Sequence, residues 1–294
     1  MALNKLQKVR EGFANGRSIT ISDAEVLPLV LDVAVDIALE AGALLRDSLA
    51  EEKEISFKRS AIDLVTQFDK AAEELIIGRL LTAFPDHTLV GEEGGTRGAN
   101  SKYQWHIDPI DGTTNFAHGL PVFGVSIGLY EYAKPLVGVI YDPVRDECFC
   151  AAVGQGSFVR RDGRNRPLQV SAASSLMHSL VATGFAPNGR ARDRQNLRPF
   201  GRILEQVQGI RRSGSAAIDL AYVAAGRLDG YWQYDLNSWD VAAGMLLVRE
   251  AGGMVTGLAG EPAVLQPQLD LVVSNGRIHS QLLSLLAVPE HANE

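Results

Sequence analysis

The chain of 294 residues contains only two cysteines, Cys148 and Cys150, set one residue apart in an apolar, strand-like stretch. Side chains alternate along a strand, so both point to one face and are badly placed to bridge each other. A disulfide framework is excluded, and a reducing compartment, the cytoplasm, is expected. Long hydrophobic runs are also missing. The most membrane-like stretch, residues 26–45, is interrupted by Asp32, Asp36 and Glu40, charges that a bilayer core penalises. It reads as an amphipathic helix, and no membrane partner is expected. Residues 1–21 scatter Lys5, Lys8, Arg10, Glu11 and Arg17 without an apolar block, so they do not read as a signal peptide. Nor is there a basic excess: 28 Lys and Arg stand against 35 Asp and Glu, a net charge of −7. That argues against nucleic acid as the main partner. It leaves room for a phosphorylated small molecule, because bound cations supply positive charge locally. Several phosphoryl-transfer signatures are absent as well. The chain has no G-x-x-x-x-G-K-[ST] loop and no D-x-D string, and Gly154 and Gly156 lack a third glycine at the right spacing.

What is present is a large apolar fraction, 46% of the residues, enough for one large layered domain or two fused halves. Ser22 and Glu25 have the spacing of a capping box, predicting a helix start there. Leu27, Leu31, Ala34, Ala38, Ala41 and Leu45 continue it at helical period. A second helix is predicted over 68–84, ended by Pro85. Phe123, Val125, Ile127 and Leu129 then alternate, and further short strands are expected at 136–141, 147–152 and 157–160. Short connections between consecutive strands imply an antiparallel meander. The second half alternates a strand at 180–183, a polar loop at 186–194, helices at 195–207, 214–225, 239–251 and 277–287, and strands at 229–234 and 269–274. The expectation is an α+β/α layered sandwich (αβαβα), with the meander in the first half and alternating strands and helices in the second. Its divisions would be an extension (1–21), helices plus antiparallel sheet (22–165) and an α/β half (166–294).

The segment richest in chemistry is Trp105-His106-Ile107-Asp108-Pro109-Ile110-Asp111-Gly112-Thr113-Thr114-Asn115. Proline fixes the backbone and glycine lets it turn sharply. A strand end turning this way aims Asp108, the Ile110 carbonyl and Asp111 at one point, and Thr113 adds a hydroxyl. These hard oxygen donors favour magnesium, manganese or calcium over zinc, and no His or Cys cluster with zinc spacing occurs. Three other segments bear on the same chemistry: Gly91-Glu92-Glu93 after a short strand, Trp239-Asp240 opening a helix, and Asp63-Leu64-Val65-Thr66-Gln67-Phe68-Asp69 before the second helix. Taken singly, each has an ordinary structural explanation. Asp108 and Asp111 could cap turns, Glu92 could be a solvated loop charge, Asp240 a helix cap and Asp69 a first-turn charge favoured by the helix dipole.

Together these segments resemble the inositol monophosphatase family, over about residues 37–286, and Gly214-Ser215-Ala216-Ala217 adds to the match. The resemblance implies a hydrolase of a small polyol phosphate with two or three Mg²⁺ ions. Glu92, Asp108 and the Ile110 carbonyl would hold one ion, and Asp108, Asp111 and Asp240 a second. A looser third would sit beside Glu92. The ions would stabilise the phosphate oxygens and make hydroxide available near neutral pH. Glu92 and Thr113 would orient the attacking water, with Asp63 holding the Thr113 hydroxyl. Backbone around Gly112 and Thr113 would face the phosphate. Asp111, Gly214, Ser215 and Ala216 would line the alcohol side, Asp240 would also touch the substrate, and Lys58 would steer the anion. The resemblance also implies lithium sensitivity and a homodimer. One position departs from the family pattern. Seven residues before Asp240, where the family commonly has glutamate, stands Gln233, which keeps a carbonyl acceptor but loses the charge. Inositol 1-phosphate is the first expected substrate. The alternatives are fructose 1,6-bisphosphate or another sugar or nucleotide phosphate, and, from a different class, a regulatory binding protein with a vestigial site.

Overall fold

The structure, a computed structural model, describes residues 21, 25–58, 63–185 and 190–287, with backbone alone for 190–195. Helix α1 (Leu27–Asp47) opens the described fold. Its N-cap position is held by Val26, with no side-chain cap and with Pro28 in the first turn. Ser22, the expected cap, lies outside the described residues. Proline lacks an N–H and has a helical φ, so it starts this helix instead. Ile21, expected at the end of a loosely docked extension, is buried in the first core.

A small hairpin, β1 (Ile55–Phe57) with β2 (Leu64–Thr66), leads into α2 (Gln67–Ala83). Thr66 and Asp69 close that helix start as a capping box. Then comes an eight-stranded sheet in the order β10-β9-β8-β7-β6-β5-β3-β4. Its strands are β3 (Thr88–Gly91), β4 (Gly95–Gly98), β5 (Tyr103–Asp111), β6 (Gly124–Glu131), β7 (Lys134–Asp142), β8 (Glu147–Ala152), β9 (Ser157–Arg161) and β10 (Arg164–Pro167). From β5 to β10 it is the expected antiparallel meander, and only β3 pairs parallel to β5. Cys148 and Cys150 are both buried on β8 as free thiols. A five-stranded mixed sheet follows, in the order β12-β11-β13-β15-β14. It is built from β11 (Leu180–Thr183), β12 (Gly209–Arg211), β13 (Gly230–Asn237), β14 (Met254–Thr256) and β15 (Gln268–Ser274). The short helix α3 (Thr113–Ala117) follows β5, and α4 (Arg190–Leu204), α5 (Ala216–Ala224), α6 (Ser238–Glu250) and α7 (His279–Leu286) belong to the second half. Helix α4 begins at Arg190, inside what the sequence suggested was a polar loop.

Three apolar clusters set the layers. The first lies between α1 and α2 and the outer face of the large sheet. The second fills the space between the sheets, where α5 and α6 pack. The third lies between the small sheet and α4 and α7. The result is the αβαβα sandwich. Among the described residues no helix is long and apolar enough to cross a membrane. Because α6 comes from the second half and packs on β5 to β8, residues far apart in sequence meet at the seam between the sheets.

Candidate active site

Strand β5 ends in an irregularity. Asp108 pairs with Ser126 and Asp111 with Gly124, so three steps on one strand oppose two on the other. Proline at position 109 has no N–H to give the ladder, which suits a bulge. Alternation alone would send Asp108 and Asp111 to opposite faces. The extra residue brings both, with Ile110 between them, to the same cavity. The turn is held inside by the Ile110 N–H, which donates to Asp108 Oδ1 at 3.0 Å. Gly112 follows with φ of 107°, a left-handed conformation natural to glycine, and an added Cβ would meet the Val122 carbonyl oxygen at 3.0 Å.

Three further elements complete the cavity, which has a volume of about 540 Å³. The loop before α5 brings Gly214 and Ser215. Ser215 Oγ donates to Asp111 Oδ2 at 2.8 Å, and the Ala217 N–H donates to the same oxygen. Asn115 fastens this loop to the β5 turn, donating to the Val122 carbonyl at 2.7 Å and the Ser213 carbonyl at 2.8 Å. Helix α6 brings Asp240. Its Oδ2 accepts the Asn237 N–H at 2.7 Å, closing a capping box. The start of α6 is bound to the large sheet: Ser238 shares a hydrogen bond of 2.9 Å with His106, and Ser126 Oγ donates to the Trp239 carbonyl at 3.2 Å. The turn after β3 brings Glu92, whose N–H donates to the Ile107 carbonyl at 3.2 Å.

Asp108 and Asp111 are almost wholly shut from solvent, Asp240 is partly buried, and Glu92 is their neighbour. Burial, then the negative charge of Glu92, Asp111 and Asp240, raises the Asp108 carboxyl well above the ordinary range. Burial likewise lifts Asp111 to about 6, against the donors from Ala217 and Ser215 that lower it. Asp240 is raised by burial and by Asp111 and Glu92. Buried like charges of this kind call for a cation. Lys58 answers for one end of the cluster: its Nζ bonds Glu92 Oε1 at 2.8 Å and also bonds Glu93. Burial alone would lower the lysine pKa, but Glu92 and Glu93 raise it on balance. Lys58, expected to steer the substrate, is thus committed to these glutamates. Among the described residues no group of three or more His, Cys, Asp or Glu side chains is gathered tightly enough to hold an ion as it stands. The donor chemistry still fits a hard divalent cation, since carboxylates and a carbonyl converge and no sulfur or imidazole lines the cavity.

One expected contact is corrected. The Thr113 hydroxyl lies 3.0 Å from Asp69 Oδ1 and 3.0 Å from the Ile110 carbonyl, so Asp69, not Asp63, holds it. Asp69 is itself oriented by Thr66, whose N–H and hydroxyl donate to Oδ2 at 2.7 and 2.6 Å. Asp63 lines the cavity beside Leu64. Both aspartates stand in one short segment, and Asp69 reads locally as a first-turn helix charge, which hid its second role. Gln233 lines the cavity with Oε1 accepting from Tyr231 Oη at 2.6 Å, and Gly214, Ser215 and Ala216 line it too. Sequence reasoning missed Asp219, 3% exposed on α5, whose carboxyl burial lifts to about 8. It also missed Arg212 at the same end of the cavity.

Five layers and a buried carboxylate cluster at the seam of two sheets define a metal-dependent phosphoric monoester hydrolase. The chain belongs to the inositol monophosphatase family, whose model matches residues 27–288. It is 44% identical over 258 residues to the inositol-1-monophosphatase of Synechocystis, covering 87% of this chain and 88% of that one. It is 41% identical over 263 residues to the Nus factor SuhB of Pseudomonas aeruginosa, covering 87% and 95%. Among solved structures, the inositol monophosphatase from Anabaena matches with a TM-score of 0.79 at 41% identity, covering 91% of this chain and 99% of that chain.

Proposed function

We propose that this hydrolase acts on the phosphate ester of a small polyol, inositol 1-phosphate first, with two or three Mg²⁺ ions. The observation that carries the reading is the meeting of Asp108, the Ile110 carbonyl, Asp111, Asp240 and Glu92 around one cavity. Glu92, Asp108 and the Ile110 carbonyl would hold a first ion, and Asp108, Asp111 and Asp240 a second, with a third more loosely beside Glu92. Bound there, magnesium would set positive charge against the phosphate oxygens and make hydroxide available near neutral pH. Thr113 orients the attacking water. Its hydroxyl has two acceptors at 3.0 Å, Asp69 and the Ile110 carbonyl; with an ion on the carbonyl the proton would go to Asp69, and the threonine oxygen would accept a hydrogen bond from the water. Asp111 uses Oδ2 to hold the α5 loop and keeps Oδ1 for metal and substrate. Gly112 leaves room for the phosphate, and Gly214, Ser215 and Ala216 border the alcohol. Water attack breaks the phosphorus–oxygen ester bond directly, and the departing alkoxide takes a proton from water. The enzyme is further proposed to be a cytoplasmic homodimer.

Gln233 sits where a carboxylate would make a charge-assisted contact with a polyol hydroxyl. Gln233→Glu is expected to lower KM for inositol 1-phosphate relative to fructose 1,6-bisphosphate, by several-fold, as befits a difference of about 1 kcal/mol. The kcat should stay within a few-fold, since the contact is similar in ground and transition states. Paired kinetics of both proteins on both substrates check this. An unmoved ratio of kcat/KM values would remove Gln233 from alcohol recognition. The wider test is phosphate release from inositol 1-phosphate, fructose 1,6-bisphosphate, NADP and histidinol phosphate, where the inositol ester should be hydrolysed best. The similarity to a Nus factor favours one second reading, a regulatory binding role beside catalysis. A panel with no metal-dependent phosphate release would favour it over the enzymatic one.

A further inference from the structure

Helix α2 carries a second buried carboxylate that the proposed chemistry does not use. Glu73 lies four residues beyond Asp69, so the two share a helix face about one turn apart. Both are buried, at 0% exposure for Asp69 and 1% for Glu73. Asp69 organises Thr113, as described. Glu73 reaches the turn that carries Glu92. Its Oε2 accepts the Glu93 N–H at 2.6 Å, and its Oε1 accepts the Gly94 N–H at 2.7 Å. Both oxygens are thus engaged by backbone donors on the residues directly after Glu92.

The flanking glycines fit the same arrangement. A Cβ added at Gly91 would fall 2.6 Å from Glu73 Oε1, and one added at Gly94 would fall 2.7 Å from the same oxygen. The run Gly91-Glu92-Glu93-Gly94 therefore has glycine where the carboxylate presses against the chain. On the other side, the Glu92 N–H is fixed to the Ile107 carbonyl, one residue before Asp108. The turn is pinned at both ends, and Glu92 is held against the strand that bears the other carboxylates. Besides Glu73, α2 reaches this hairpin through Glu74, paired with Arg97 on β4 at 2.7 Å, beyond the turn. Without the Glu73 anchor, Glu92 would be freer to swing with Lys58, to which it is already bonded.

We propose that Glu73 is a positioning residue that presets the Glu92 turn for magnesium and so sets the metal affinity of the site. The proposal rests on the metal reading above. Amide for carboxylate tests it, because glutamine offers one acceptor and one donor where two N–H groups point in. Glu73→Gln should raise the magnesium concentration for half-maximal phosphate release by about 10-fold or more, the usual effect of losing an outer partner of a metal ligand. The kcat at saturating magnesium should stay within a few-fold. Calorimetric titration of magnesium into the substrate-free protein should weaken by the same factor. Lys70→Gly, an exposed change on the same helix, is the control for general weakening of α2. It should lower the melting temperature without moving the magnesium titration. If Glu73→Gln does not fold, Glu73→Asp retains the charge with a shorter reach and should show the same magnesium shift in smaller degree. Native magnesium titrations in a folded Glu73 variant, or an equal shift in Lys70→Gly, would overturn the proposal. A wild-type protein that binds no magnesium in the calorimeter would instead overturn the metal reading on which it rests.

Discussion

Asp111 shows how one side chain serves two demands. Its Oδ2 is saturated by Ser215 and Ala217. An asparagine would turn its carbonyl to those donors and present an amine to the cation, which cannot ligate it. Asp111→Asn is therefore expected to fold normally and lose at least ~10²-fold in turnover, as when other electrostatic stabilisers are removed. A folded variant with near-native phosphate release would take Asp111 out of the site. Asp219 leads to a prediction about pH. Its carboxyl is lifted to about 8 in the fold by burial, against about 3.9 in an unfolded chain. Between those values the native state holds a proton that the unfolded state has lost, so this group makes stability fall as pH rises from about 4 to about 8. Asp219→Asn removes that dependence. Thermal melts in chelator from pH 5 to 9 should show a flatter curve and a higher melting temperature at the alkaline end. Parallel curves for the two proteins would mean that Asp219 is ionised in the fold. The sequence displayed Asp111 inside a specific string, whereas Asp219 lay in an ordinary helical run. Only the packing of α5 against the cavity separates it from a solvent-facing helix charge.

Helix α6 owes its position to glycines on the sheet beneath it. Gly128 on β6 and Gly138 on β7 are cross-strand partners. A Cβ at Gly138 would meet the Ala243 carbonyl oxygen at 2.7 Å, and one at Gly128 would meet the Ala242 Cβ at 2.8 Å. Helix backbone cannot yield as a side-chain tip can, so the helix must move. Gly138→Ala is expected to destabilise the fold by about 1–3 kcal/mol, the usual cost of overpacking. It should also raise the magnesium requirement, because Asp240 rides on α6. Denaturant midpoints and magnesium titrations measure the two effects, and native values for both would show that α6 is not seated this closely. The small residues Ala242, Ala243 and Gly244 were visible in the sequence. Their partners more than a hundred positions earlier were not, because close helix–sheet approach leaves no periodic signal in either segment. The reverse held for β5, where Pro109 and Gly112 marked the bulge directly.

At the scale of the molecule, the layer order could be read from the change of hydrophobic period between the halves. Edges were harder. Strands β4, β10, β12 and β14 are three or four residues long and carry little alternation, so the chain looked like loop there. Helix α1 starts at Leu27, later than the spacing of Ser22 and Glu25 suggested, with Pro28 in its first turn. The Asp63 and Asp69 assignment failed because two aspartates in one segment are locally equivalent, and only the tertiary fold brings one of them to Thr113. Once folded, both halves contribute acid to one cavity, and the proposed activity requires that meeting to be a cation site. The most direct measurement is phosphate release from inositol 1-phosphate as magnesium is titrated into chelator-stripped protein, with lithium added at saturation. No turnover is expected without the divalent ion, with restoration by magnesium and inhibition by lithium at roughly tens of millimolar, as for a weakly held monovalent ion. Full turnover in excess chelator would contradict the cation requirement.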